Sequence, residues 1–220
     1  MSASNRLVAI AALFVTCLIA ANTIGVKVIA LGEVRLPAAI IVFPLSYIFG
    51  DILTEVYGYR WARRIIWLGF ISNFIFVLLV YLGQLLPPAP SWGGQQAYET
   101  ILGYTPRLVA ASFCGYLAGE FSNSLIMARL KVKTQGRFLW VRTISSTIIG
   151  QGLDTALFIT IGFIGTSSFS PLMILYHWLA KVAIEVVATP LTYLAVGNLK
   201  KLEKGEVFDT GTNFNPFSFS

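Results

Sequence analysis

Charge is what this 220-residue chain has least of: Asp, Glu, Lys and Arg together make up 12% of it, where soluble domains carry about 25%. With 56% hydrophobic residues, that scarcity excludes an ordinary soluble domain and points to the bilayer. Histidine is nearly missing, and the lone His177 excludes a histidine-rich metal site. Cys17 and Cys114 both lie inside apolar stretches. There they read as small hydrophobes, and neither a disulfide nor a thiolate centre is indicated. No GxxxxGK[ST] phosphate loop occurs, which excludes ATP hydrolysis by that route. "FDTGT" at 208–212 carries the Asp-Thr-Gly of aspartic proteases. That chemistry needs a second aspartate and a β-rich lobe to hold both, and the sequence offers neither.

Long apolar runs are plentiful. A spanning helix needs about 20 mostly apolar residues, and six segments qualify, at about 7–31, 36–58, 65–86, 107–129, 142–165 and 171–197. The first run is too long for the apolar core of a signal peptide and continues into Asn22 and Lys27, so it reads as a retained helix. "LPPAPSWGGQQAYETILGYTP" (86–106) reads as a loop with an interfacial turn around Trp92 and Tyr98. The expectation is an all-α integral membrane protein: a six-helix transmembrane domain over 1–204, then an extended or disordered tail over 205–220. The net charge of +6 does not indicate nucleic acid, because the Lys and Arg residues flank the apolar runs. Arg60, Arg63 and Arg64 follow the second run, Arg129 to Arg142 link the fourth and fifth, and Lys200, Lys201 and Lys204 follow the sixth. If six helices alternate, these clusters share one side, which puts both termini in the cytoplasm.

The carboxylates inside the apolar runs demand an explanation. Asp51, Glu55, Glu120, Asp154 and Glu185 all fall within predicted spans, with Lys181 among them. Each such charge costs about 2.5–3.5 kcal/mol at a helix centre and usually faces a cavity or a partner. At about 1.5 Å rise per residue, Glu120, Asp154 and Glu185 lie within roughly 3 Å of the midplane. Asp51 lies about 6 Å to one side and Lys181 about 5 Å to the other on the same rise. Glu55 is placed to reach Arg60 or Arg64. Thr147, Gln151 and Asp154 share a helical stripe, as do His177, Lys181 and Glu185. Gly115, Gly119 and Asn123 form a third stripe beside Tyr116 and Glu120, where glycines allow close backbone approach. Asn22 lies at a similar depth. The bland reading is that Lys181 pairs with Glu185 or Asp154 only to hold helices together. Against it, acids outnumber the one buried lysine, so the rest are protonated or await a ligand rich in donors.

"FPLSYIFGDILTEVYGYRWARR", "RLVAASFCGYLAGEFSNSLIMARLK", "RTISSTIIGQGLDTALF", "LAKVAIEVVATPLTYL" and the tail "TNFNPF" together resemble the queuosine-precursor transporter family, also called the putative vitamin uptake transporters. The resemblance implies a multi-pass importer of the bacterial inner membrane, acting on 7-cyano- and 7-aminomethyl-7-deazaguanine. It implies no catalytic residue and no cofactor. Its architecture is similar to the six-helix substrate-binding subunits of energy-coupling-factor vitamin transporters, without their ATPase module. The family's aspartates of the second and fifth helices match Asp51 and Asp154, and its sixth-helix lysine matches Lys181. Phe43, Pro44 and Arg107 also match its motifs. The chemistry agrees: a deazaguanine offers N1–H and an exocyclic amine to a carboxylate, and its O6 accepts from Lys181, Gln151 or Asn22. Its ring could lie on Phe43, Tyr47, Tyr116 or Trp178. With Glu120, Asn123 and Glu185, these residues form the candidate substrate site. The alternatives are a vitamin-binding subunit docked on an ATP-driven partner and an intramembrane enzyme. Association with further copies of the chain is left open.

Overall fold

The computed structural model describes residues 4–31, 34–103, 106–165, 169–203 and 207–218. Helix α1 spans Asn5–Ile24 and starts at Ser4, whose hydroxyl accepts from the Leu7 amide. A short antiparallel hairpin follows, with β1 at Val28–Leu31 paired to β2 at Val34–Pro37. The first helix therefore ends well before residue 31. Gly25 closes it, and the β-branched Val28 and Ile29 suit a strand better than a continuing helix. The second expected span also begins late. Pro37 ends β2, a 3-10 turn covers Ala38–Ile41, and α2 runs only over Phe43–Ile52 with Pro44 in its first turn. A π-helical turn, Leu53–Tyr57, completes it.

Gly58 then takes a positive φ of 83°, a conformation natural only to glycine, and turns the chain into α3 at Tyr59–Leu85. The expected loop at 86–106 contains a helix of its own, α4 at Gln95–Leu102. Trp92 and Tyr98 meet there edge to face. Helices α5 (Pro106–Lys133), α6 (Leu139–Phe163) and α7 (Pro171–Glu203) complete the bundle. Where charge suggested an end, the helices run on. α3 starts six residues earlier than expected and includes the arginines, while α5 and α7 carry lysines in their last turns, where the helix dipole favours cations. Residues 207–218 contain no helix.

Among the described residues four helices, α1, α3, α6 and α7, are long and apolar enough to cross a membrane. Leu78, Leu79 and Leu82 on α3, and Val187, Leu191 and Leu194 on α7, are exposed, while Thr, Ser and charged side chains share the interior with an apolar core that includes Leu7, Phe14, Ile52 and Leu53. The protein is a helical integral membrane protein whose apolar faces meet lipid and whose polar groups face one another. Its tightest crossing joins α5 to α6. A Cβ on Gly119 would sit 2.8 Å from the Cβ of Asp154 and 3.0 Å from the Gly150 carbonyl oxygen, so only glycine fits. The glycine stripe thus sets the distance at which α6 presents Asp154.

Candidate functional site

Among the described residues two polar clusters lie inside the bundle. The first is built by α2, α5, α6 and α7. Tyr47, Asp51, Glu120, Asn123, Gln151 and Glu185 are all buried in it. The Tyr47 hydroxyl donates to Gln151 Oε1, tying α2 to α6. Asn123 Nδ2 donates to Asp51 Oδ1 at 3.0 Å, tying α5 to α2. Lys181 Nζ donates to Asp154 Oδ2 at 2.6 Å, tying α7 to α6. That pair is the open edge of the cluster, with 12% of the lysine and 24% of the aspartate side chain exposed. Glu120 feels the charges of both Asp154 and Lys181, and its Oε2 lies 3.4 Å from where a Cβ on Gly50 would stand.

The lysine of the α7 stripe therefore pairs across helices with Asp154. Both carboxylate oxygens of Glu185, one turn away, are buried without a hydrogen-bond partner among the described residues. Asp51 Oδ2, Asn123 Oδ1 and Thr155 Oγ1 are buried and unsatisfied in the same way. Glu185 lies close enough for its charge to act on Asp51. Buried polar atoms are almost always paired in folded proteins. A group rich in hydrogen-bond donors would satisfy such a set of acceptors.

Four other expected site residues make other bonds or have side chains outside the described residues. Tyr116 donates to the Ile66 carbonyl at 2.9 Å, which fastens α5 to α3. Asn22 donates to Asn73 at 2.9 Å, between α1 and α3. Trp178 donates to the Ile148 carbonyl at 2.9 Å and lies against Gly152 on α6. The side chain of Phe43 lies outside the described residues. Arg107 caps α6, with Nε donating to the Ile161 carbonyl at 2.6 Å and a second nitrogen donating to Ile164, at the helix end where cations are favoured.

The second cluster surrounds Glu55, and it corrects the expected pairing with Arg60 or Arg64. Glu55 Oε1 accepts from Arg142 and from Lys200, each at 2.7 Å, with Lys131 Nζ 3.6 Å away. The Glu55 backbone carbonyl, within the π-helical turn, accepts from Lys131 at 2.6 Å, while the Tyr59 amide one turn on donates to Asp209. Glu55, Lys131 and Arg142 are almost completely buried. Sequence reasoning missed this cluster because its partners come from α5, α6 and α7, far apart in the chain. It also missed Thr54, which donates to Ser124 at 3.1 Å, although the hydroxyls inside apolar helices were the visible signal.

The model of the family described as "Putative vitamin uptake transporter" matches residues 37–195, which include the first cluster and all of the second except Lys200. The chain belongs to that family. It is a membrane transporter and not an enzyme. A "Probable queuosine precursor transporter" of Bacillus subtilis (strain 168) is 29% identical over 184 residues, covering 80% of this chain and 79% of that one. The "Queuosine precursor transporter" of Escherichia coli (strain K12) is 29% identical over 125 residues, 55% of this chain and 52% of that one. A "Probable queuosine precursor transporter" of Haemophilus influenzae is 27% identical over 136 residues, 62% of this chain and 54% of that one. No solved structure matches the chain.

Proposed function

We propose that this transporter imports queuosine precursors, 7-cyano-7-deazaguanine or 7-aminomethyl-7-deazaguanine, across the bacterial inner membrane. The base binds among α2, α5, α6 and α7. One observation carries the reading beyond the relatives' names: a carboxylate and an ammonium lie side by side at the partly open edge of a cluster of unpaired acceptors. A deazaguanine presents the matching edge. Its N1–H and exocyclic amine suit the carboxylate of Asp154, and its O6 suits Lys181. Asp51 and Glu185 lie deeper, where a 7-aminomethyl group would find acceptors. A site built this way rejects analogues lacking those donors, because its own buried groups would go unpaired.

The same reading gives six spans, with α2 and its π turn as the second and α5 as the fourth. Both termini are cytoplasmic, on the side of the cationic helix ends. No ATPase module is required. The decisive experiment is uptake by the purified chain alone in liposomes. Labelled 7-cyano-7-deazaguanine should accumulate and be recovered chemically unchanged, and hypoxanthine, which lacks the exocyclic amine, should compete poorly. Uptake only after an ATPase partner is added would instead favour a vitamin-type binding subunit. For topology, Ser91→Cys should react with an impermeant thiol reagent outside intact cells, and Thr134→Cys should not. The reverse pattern sinks the orientation.

A further inference from the structure

On α7 the stripe of His177, Lys181 and Glu185 ends in an acid that the rest of the bundle does not answer. Lys181 is bonded to Asp154 at the partly open edge of the base site. Glu185, one turn on, is fully buried, and neither of its carboxylate oxygens has a hydrogen-bond partner among the described residues. Oδ2 of Asp51, also fully buried, is unpaired in the same way, and the two acids lie close enough for one charge to act on the other. A carboxylate buried without a partner is so costly that it is carried neutral, as the acid. Two acids placed together cannot both be ionised, so the pair holds a proton. Asn123 donates to Oδ1 of Asp51 at 3.0 Å, whereas no described group donates to Glu185, which makes Glu185 the acid that keeps the proton.

The groups around this pair supply no cation in the proton's place. From α2, the Tyr47 hydroxyl donates to Gln151. From α5, Glu120 is a further acid, near enough to Asp51 and Tyr47 to act on both. From α6, Asp154 is bonded to Lys181. Glu55, one turn after Asp51, is bound by Arg142 and Lys200. A 7-cyano-7-deazaguanine is uncharged and brings no cation either. Titratable groups also lead to the pair from both sides. His177, one turn before Lys181, lies close enough to feel the lysine's charge, so the stripe steps every four residues along the outer half of α7 in the proposed topology. On the other side Glu55 acts on Asp51 and lines a cavity of about 230 Å³ between the start of α6 and the last turns of α7. Ionisable residues strung through a membrane bundle mark proton relays.

We infer that import of the base is coupled to the entry of a proton, and that Glu185 carries it. One proton comes in on Glu185 with each neutral base and leaves to the cytoplasm after the base has gone. The inference rests on the deazaguanine reading and adds the driving force to it. The full chain, purified and reconstituted in liposomes, is given labelled 7-cyano-7-deazaguanine with the outside made acidic, with equal pH on both sides, or with a sodium gradient. A pH-sensitive dye trapped inside reports proton entry. The acidic exterior should raise uptake at least tenfold, and the base added at equal pH should acidify the interior. Glu185→Gln, which cannot exchange a proton, should lose both responses, so that any uptake it retains is the same with and without the gradient. Glu185→Asp, which can, should keep them. Uptake equal under all gradients, or driven by sodium instead, overturns the coupling and leaves the substrate reading standing. A tenfold response that survives in Glu185→Gln removes Glu185 as the carrier. No uptake under any gradient defeats the substrate reading and the coupling together. Should Glu185→Gln misfold, Asp51→Asn replaces it with the same expected loss of both responses.

Discussion

Glu55 and Glu185 are the same residue type, both wholly buried in one helical bundle, yet their surroundings are opposite. Around Glu55 the protein gathers two ammonium groups and a guanidinium drawn from three helices. Around Glu185 and Asp51 it gathers an amide, hydroxyls and other acids, and several oxygens stay unpaired. A buried charge is tolerated when paired and is costly when it is not. The Glu55 cluster is therefore a fastener, and the Asp51–Glu185 region is where the fold leaves something unfinished. Burial alone does not separate structure from function here; completeness of pairing does.

Removing the fastener should have the largest effect. Glu55→Gln leaves Lys131 and Arg142 buried without their carboxylate, and breaking such a buried network costs about 3–5 kcal/mol. Yield and Tm should both collapse. Glu185→Gln strands no cation, because no ion pair involves Glu185 among the described residues, and the protein should remain folded with a nearly unchanged Tm. If both variants melt alike, the contrast between the two regions is wrong.

The Lys181–Asp154 pair stands between these extremes, and its partial exposure softens the cost of breaking it. Lys181→Met should abolish uptake of the deazaguanine while lowering Tm little, since Asp154 is only partly buried. Transport that persists, or that falls only as folding falls, would make the lysine scaffold. Asp154→Asn is milder. It keeps the size of the side chain but sets a donor against the donors of the base, a loss of about 1–3 kcal/mol in binding. Titration of the folded variant should show affinity reduced at least tenfold, and wild-type affinity would remove Asp154 from the site.

Much of this contrast was legible in the chain itself. Carboxylates at helical spacing within apolar runs announced a polar interior, and the Gly115–Gly119 stripe announced the close α5–α6 crossing that the structure contains. Depth along the helices left Lys181 within reach of either Asp154 or Glu185, and it is bonded to Asp154. Three-dimensional partnership was not legible. Nothing local to Glu55 indicates Arg142 or Lys200, and the nearer arginines of α3 were the natural guess. The π turn and the hairpin were missed because a continuous apolar run has the same period whether it is one helix or two interrupted pieces. Helix ends were misjudged for a related reason. Basic residues were read as boundaries, whereas long side chains let a helix continue past the apolar region with its charges turned toward water or partners.

The smallest predicted effect concerns the tail, which holds the fastener's neighbourhood from outside. The Asp209 carboxylate accepts from the Tyr59 amide through both oxygens, at 3.2 and 3.0 Å, and so caps α3 from 150 residues away in sequence. No side chain at Gly58 could do this, because a Cβ there would strike Val207 at 2.8 Å. Downstream, the carbonyls of Asn213 and Asn215 accept from Arg63, and that of Pro216 accepts from the Trp67 indole. Phe208 lies under Lys131, which joins this strap to the Glu55 cluster. Losing a capping carboxylate costs about 0.5–2 kcal/mol. Asp209→Ala should accordingly lower Tm by a few degrees, far less than Glu55→Gln, and leave deazaguanine binding intact because the proposed base site lies elsewhere in the bundle. Limited proteolysis should cut the chain after residue 206 faster in Asp209→Ala than in the parent. A tail that stays equally protected, with an unchanged Tm, would show that the aromatic and arginine contacts hold it without the cap.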